Sequence, residues 1–213
     1  MTLTLFHTPG TRSVRARWLM EEMGVPYELK TLAYDGEYFA SEEFRKINPM
    51  GKVPAFYDGE TLIIESVAIM QYVMNRYGPT ELDIPSDDPE YATYLQWLHL
   101  GESGMSGYIA VSFGHAAQVD PYKVSEEFDA YCRYQVEKAV AMLEARLQDR
   151  EFILDRGFSA ADISTGYALM FAAVCTGTTY PSKVSDYLSR MMARPAMQRA
   201  LSDIPAEQLS MIV

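Results

Sequence analysis

"NPMGKVPAFYDGETLIIES", residues 48–66, carries the most informative local pattern in the chain. Residues 53–57 read as a strand, yet Pro54 stands one residue inside its start. Proline has no N–H to give to a ladder and fixes its own φ. Two arrangements tolerate it: a strand at the sheet edge, or a chain that bends away from the sheet. Either one leaves the backbone of Val53 without a sheet partner, and its N–H and C=O need one wherever water is excluded. An extended, peptide-like ligand can pair there by strand addition. An X-Pro bond is also the common place for a cis peptide. From Pro54 alone, a plain turn proline is the simpler reading.

Working outward, residues 53–57 and 62–65 flank Asp58-Gly59-Glu60 and form a hairpin. A helix opens at Ser66, with Val67, Met70, Val73 and Met74 on one side. Upstream, residues 3–6 are a short apolar strand and 27–31 a second one. Between them, residues 13–23 place apolar side chains at 16, 19, 20 and 23, a helical face stopped by Gly24. Residues 41–47 are a short helix ending at Asn48-Pro49. The order β-α-β-α-β-β-α predicts two parallel strands joined by a right-handed crossover, plus an antiparallel hairpin. This is an α/β unit with a small mixed sheet and helices on its faces.

Residues 78–88, "GPTELDIPSDD", break the pattern with glycine, two prolines and four acidic residues. Beyond them the strand signal stops. Helices are expected over 89–108, 125–149, 159–174 and 182–192, with a last one after Pro195. The second of these has apolar residues at 128, 132, 136, 139, 143 and 147, in steps of three and four. The expected organisation is an α/β domain over 1–78, a linker over 79–88 and an all-α bundle over 89–213.

A formal net charge of −11, from 29 acidic and 18 basic residues, argues against nucleic-acid and anionic-membrane partners. Cys132 and Cys175 lie far apart in apolar patterns and read as buried thiols in a reducing compartment. His7, His99 and His115 show no metal-ligand spacing, so no metal is expected. The opening MTLTLFHTPG lacks the charge-first order of a secretory signal, and no apolar run approaches a membrane span. The expected location is the cytoplasm.

Ser66 reads as the N-cap of a helix that directly follows a strand. Helix N-termini attract carboxylates through free N–H groups and the macrodipole. Glu65 beside it can hold an ammonium, so the pair suits an amino-acid head group carrying both charges. Here "NPMGKVPAF…LIIESVAIMQYV" resembles the glutathione-binding segment of the cytosolic glutathione transferases. The resemblance implies a cis bond at Pro54, a cysteinyl moiety paired with the Val53 backbone, and a γ-glutamyl group held by Glu65 and Ser66. It extends over the whole chain and implies a thioredoxin-like first domain followed by a helical one. "FSAADIS", residues 158–164, resembles the family's structural capping box, with Ser159 as cap and Asp162 facing back.

The family's catalytic group lies at the start of the first helix, here "HTPGTRSVRARWL". No tyrosine or cysteine lies between Met1 and Val25, which counts against the tyrosine and cysteine types, and the resemblance implies a bacterial, serine/threonine type. Thr11 stands four before Arg15, as the hydroxyl residue does in the serine-type pattern. Thr11 ranks first, Ser13 second and Thr8 third. Threonine where serine is usual is a departure. A free thiol titrates near 8.5, and lowering it by about 2 units takes roughly 2.7 kcal/mol. A hydrogen bond to a charged partner supplies about 1.5–3 kcal/mol and a helix N-terminus about 0.3–1 kcal/mol. The hydroxyl therefore needs only to donate, and no histidine is expected beside it. Arg12 and Lys52 are candidates to neutralise the glycyl carboxylate.

By the same resemblance the electrophile meets an apolar surface of the helical domain, with Met105, Tyr108, Phe113, Tyr167 and Phe171 as candidates. The glycines of "GESGMSGYIAVSFGHAAQ", residues 101–118, suggest a kinked helix there. The expected activity is transfer of the glutathione thiolate to a small apolar electrophile. Isomerase, dehalogenase or peroxidase chemistry on the same scaffold stands beside it, as does a non-catalytic glutathione-binding regulator. A homodimer is implied by resemblance only.

Overall fold

The computed structural model describes residues 2–118 and 123–204. Positions 119–122 and 205–213 of the expected helical segment lie outside the described residues. The described residues divide into two compact units, residues 2–83 with Arg194–Ile204, and Ile84–Ala193.

The first unit is built on a four-stranded sheet in the order β2-β1-β3-β4, with β1 Leu3–His7, β2 Glu28–Thr31, β3 Ala55–Asp58 and β4 Thr61–Ile64. β1 and β2 are parallel, joined by α1 Ser13–Met23, as the β-α-β order predicts. β3 is antiparallel to both β1 and β4. The β3–β4 hairpin closes where Asp58 pairs with Thr61, and Gly59 supplies the positive φ of that tight turn, 60°. α1 ends where Gly24 adopts the left-handed conformation, φ 64°, and donates its N–H to the Met20 carbonyl. Its Val14, Ala16, Trp18, Leu19 and Met20 are fully buried. α1 packs against α4 Ser66–Tyr77, whose Ile69, Met70 and Val73 are likewise inaccessible.

Between β2 and β3 stand two short helices rather than one, α2 Gly36–Ala40 and α3 Glu42–Ile47. Asp35 caps α2 by accepting from the N–H groups of Glu37 and Tyr38, and Ser41 caps α3 through the Phe44 N–H. Phe39 and Phe44 bury their rings against each other, centroids 4.8 Å apart.

The second unit is helical throughout its described residues: α5 Tyr91–Leu100, α6 Gly107–Ala116, α7 Glu126–Arg146, α8 Ala160–Thr176 and α9 Ser182–Met192. A π-helical turn, Gly101–Ser106, joins α5 to α6 without a break. Gly101 permits close approach to α8, since a Cβ there would lie 2.5 Å from the Ser164 carbonyl oxygen. The expected kink is thus a widened turn in a continuous helix. α8 begins with the expected capping box: Ser159 donates its N–H to Asp162 at 2.9 Å. α10 Pro195–Ala200 departs from the organisation read in the sequence, because it packs on α1 within the first unit.

Candidate functional site

Sheet register brings three connections to one end of the first unit. Phe6 pairs with Ala55, and Ala55 with Ile64. The loop leaving β1, the turn entering β3 and the step from β4 into α4 therefore share that end.

The turn entering β3 is held by Asn48, which is 1% exposed. Its side-chain amide donates to the Lys52 carbonyl, its Oδ1 accepts the Met50 N–H at 2.9 Å, and its own carbonyl accepts the Gly51 N–H at 2.8 Å. Gly51 is required: its φ is 63°, and a Cβ would come within 2.6 Å of the Phe39 carbonyl oxygen. The Val53–Pro54 peptide is cis. β3 is an inner strand and starts only at Ala55, so the edge-strand alternative for Pro54 falls and the bend away from the sheet is what the chain adopts. Among the described residues, neither the N–H nor the C=O of Val53 has a hydrogen-bond partner. Lys52 is exposed and Val53 half-buried.

At α4 the cap is one residue earlier than the sequence suggests. Glu65, not Ser66, is the N-cap, with φ 72° and ψ 115°, and its carbonyl accepts the Ile69 N–H at 2.9 Å. β4 runs to Ile64 and leaves one residue in which to turn from strand to helix. Such a backbone at a non-glycine residue costs on the order of 1–3 kcal/mol and clusters at binding sites. No side chain caps this helix, so its first N–H groups face outward from the helix start. Ser66 is buried, and its hydroxyl accepts a hydrogen bond from Arg15 Nη1 at 3.1 Å. Arg15, wholly buried, served in the sequence only as a spacing mark.

The loop leaving β1 gathers the hydroxyls. Thr11 Oγ1 donates to the Thr8 carbonyl at 2.8 Å and lies 2.8 Å from Ser13 Oγ. Ser13 Oγ is 2.7 Å from His7 Nδ1 and accepts the Thr8 N–H at 3.2 Å. A histidine does stand beside the hydroxyls, against the sequence expectation. The β1 strand end places it there, six positions before Ser13. Behind it, His7 Nε2 is 3.1 Å from Asp203 Oδ2, and Arg17 Nη1 is 2.8 Å from the same oxygen. Burial lowers the imidazole pKa to about 4; Asp203 opposes that shift and Arg17 adds to it. The ring is therefore neutral near pH 7. Thr11 and Arg12 are half-buried, whereas Ser13 is 0% exposed and Thr8 2%.

In the second unit, Met105 and Tyr167 are buried core residues. Tyr108 is half-buried and meets the Tyr131 ring edge-on at 6.1 Å. Phe113 is exposed, and Phe171 stacks on Tyr167 at 5.8 Å. Cys132 and Cys175 are free thiols, the second pushed up to about 11 by burial. Among the described residues no cluster of three or more His, Cys, Asp or Glu is placed to hold a metal ion. No described helix is long and apolar enough to cross a membrane.

Residues 1–75 match the family model of the glutathione S-transferase N-terminal domain. The chain is 29% identical over 211 residues to glutathione S-transferase GstA of Escherichia coli O157:H7, covering 94% of this chain and 98% of the relative. It is 27% identical to glutathione S-transferase 3 of Schizosaccharomyces pombe, over 96% of this chain and 84% of that one. Among solved structures, a glutathione S-transferase from Actinobacillus pleuropneumoniae superposes with a TM-score of 0.78 at 26% identity, covering 97% of this chain and 99% of its own. BphK, a bacterial glutathione transferase, shares the fold with a TM-score of 0.80 at 22% identity, over 93% and 98% of the two chains. Residues 1–75 thus match the glutathione S-transferase N-terminal domain, and the relatives that span nearly the whole chain are glutathione S-transferases.

Proposed function

We propose that this chain is a serine/threonine-type glutathione transferase, which lowers the pKa of the glutathione thiol and delivers the thiolate to a small apolar electrophile. The observation that carries the reading is the free backbone of Val53 beside Pro54, at the same sheet end as the uncapped start of α4. A peptide-like ligand supplies what each lacks. Its cysteinyl N–H and C=O pair with Val53, and its α-carboxylate meets the N–H groups at Ser66. Glu65 takes the ammonium, and Lys52 with Arg12 takes the glycyl carboxylate.

The nucleophile is the ligand's own sulfur, so the loop hydroxyls, Thr11 with Ser13, need only stabilise its charge. Met105, Tyr108, Phe113 and Tyr167 are proposed to belong to the electrophile pocket, with the half-buried Tyr108 foremost. The chain is proposed to act as a homodimer in the cytoplasm, in detoxification. Its two unpaired cysteines accord with a reducing compartment.

Retention on immobilised glutathione, with elution by the free tripeptide, tests binding. Turnover of an aryl halide against a hydroperoxide then separates transferase from peroxidase chemistry. A chain that is not retained, or one retained without any turnover, overturns the catalytic reading. Sedimentation at twice the chain mass of 24.1 kDa is the expected assembly.

A further inference from the structure

We propose that His7, clamped by Asp203 from the segment after α10, is a positioning residue that fixes the direction of the hydroxyl chain: it draws the Ser13 proton inward, so that of this hydrogen-bonded pair Thr11, not Ser13, donates to a bound thiolate. The inference rests on the glutathione reading for the identity of the acceptor, and on proton inventory for the rest.

The ring nitrogens settle the direction. His7 Nε2 faces Asp203 Oδ2 at 3.1 Å and Arg17 Nη1 at 3.3 Å. Arg17 carries only donors and spends one on the same carboxylate oxygen at 2.8 Å. A bare Nε2 lone pair against that carboxylate would be repelled, so the proton sits on Nε2 and is donated to Asp203. Thr31 lies opposite His7 on β2, and the charged groups bearing on the ring are Asp203 and Arg17. A neutral ring protonated at Nε2 has an accepting Nδ1, and Ser13 Oγ stands 2.7 Å from it.

Ser13 has one proton and two acceptors within reach, His7 Nδ1 at 2.7 Å and the Thr8 carbonyl at 3.2 Å, and the shorter contact takes it. Its lone pairs are met by the Thr8 N–H at 3.2 Å and by the Thr11 hydroxyl at 2.8 Å. Ser13 is fully buried and its one proton is spent on His7, so it has no hydrogen to donate to a ligand. Thr11 differs. Its proton chooses between two neutral acceptors, the Thr8 carbonyl and Ser13 Oγ, both at 2.8 Å. An arriving thiolate is a charged acceptor and outcompetes both. Thr11 is half-buried and within reach of solvent. The clamp comes from far along the chain: Asp203 lies 196 residues from His7. The C-terminal segment of the first unit thereby takes part in the chemistry at the opposite end of the sequence.

The test begins on the ligand-free full chain. Ring nitrogen-15 shifts near neutral pH, assigned through the loss of one signal set in His7→Asn, report the tautomer. The Nε2–H form is expected in the native chain. In Asp203→Ala, Arg17 becomes the neighbour of Nε2 and the Nδ1–H form is expected. A native Nδ1–H ring, or no tautomer change in Asp203→Ala, overturns the clamp. Neither readout requires that glutathione bind, so its failure is separable from failure of the transferase reading. With glutathione bound, the ultraviolet thiolate absorbance gives the thiol pKa. Thr11→Val is expected to raise it by about one unit, an about tenfold loss of rate near neutral pH, and Thr11→Ser to restore it. Ser13→Ala is expected to raise it by less than half as much. A Ser13→Ala shift equal to or larger than that of Thr11→Val overturns the assignment.

Discussion

His7 shows how one buried side chain ties the site to stability. Its ring is inaccessible and its pKa is lowered to about 4, against an ordinary value of 6.5. A histidine depressed in the native state binds fewer protons folded than unfolded. Its contribution is fully present above about pH 6.5 and is lost as pH falls toward 4. Two and a half pH units at about 1.4 kcal/mol each put the loss on the order of 3 kcal/mol. His7→Asn removes the titration. The pH dependence of denaturant unfolding over this window is expected to flatten in the variant relative to the native chain. Equal slopes in the two proteins would mean that the ring is already charged, or not desolvated, in the folded state. None of this surroundings was legible in "FHTPG", because the burial and Asp203 both come from tertiary packing. Ser13 and Thr11, by contrast, were nominated in the sequence by the family resemblance, since loop and helix start are contiguous in the chain.

Among the elements, α8 is the one whose start is most tightly specified. Asp162, fully buried, accepts from the N–H groups of Ser159 and Ile153 at 2.9 Å and from the Tyr187 hydroxyl at 3.0 Å. One carboxylate therefore joins the helix start, the preceding loop and α9. Burial pushes its pKa up to about 6, while those donors pull it down. Asp162→Ala strands these buried donors together and is expected to cost about 3 kcal/mol or more, read as a lowered denaturation midpoint of the second unit. Ser159→Ala, which removes the cap hydroxyl while the Asp162 bonds to Ile153 and Tyr187 remain, is expected to cost nearer 1 kcal/mol. Equal effects would show that the cap, not the carboxylate hub, organises α8. The motif "FSAADIS" made the capping box readable, because its partners are three residues apart. Tyr187 and Ile153 were not readable, nor was the second short helix at Gly36–Ala40. That helix rests on an Asp35 cap, with no hydrophobic period long enough to register. The cap of α4 was misread by one residue for a related reason: Ser66 has the cap chemistry, but the strand before it ends too late for it to stay outside the helix.

At the scale of the whole molecule, local periodicity set the two-part plan but not where the chain's last described helix belongs. α10 is too short to show an amphipathic repeat, and its Met197, Ala200 and Leu201 bury against the first unit. Around them Arg194 Nε and Nη2 clamp both carboxylate oxygens of Glu22 at 2.6 and 2.9 Å, and Arg199 Nε meets Glu21 at 2.7 Å. The exposed Arg199 pair contributes little. The apolar side chains and the Asp203 carboxylate beside Arg17 matter more, because Arg17 is only 6% exposed and loses Asp203 and Ser202 if this segment is absent. A chain ending at Ala193 should retain its second unit and lose stability in the first by about 3–5 kcal/mol, from the buried Met197 and the stranded guanidinium. The two tryptophans report the units separately, Trp18 in the first and Trp97 in the second, both almost inaccessible. In Trp97→Phe, fluorescence follows Trp18 alone, and the truncated form is expected to unfold at markedly lower denaturant than the full chain. In Trp18→Phe the two lengths are expected to unfold at similar denaturant. If the Trp18 transition were indifferent to truncation, the first unit would be complete without residues 194–204.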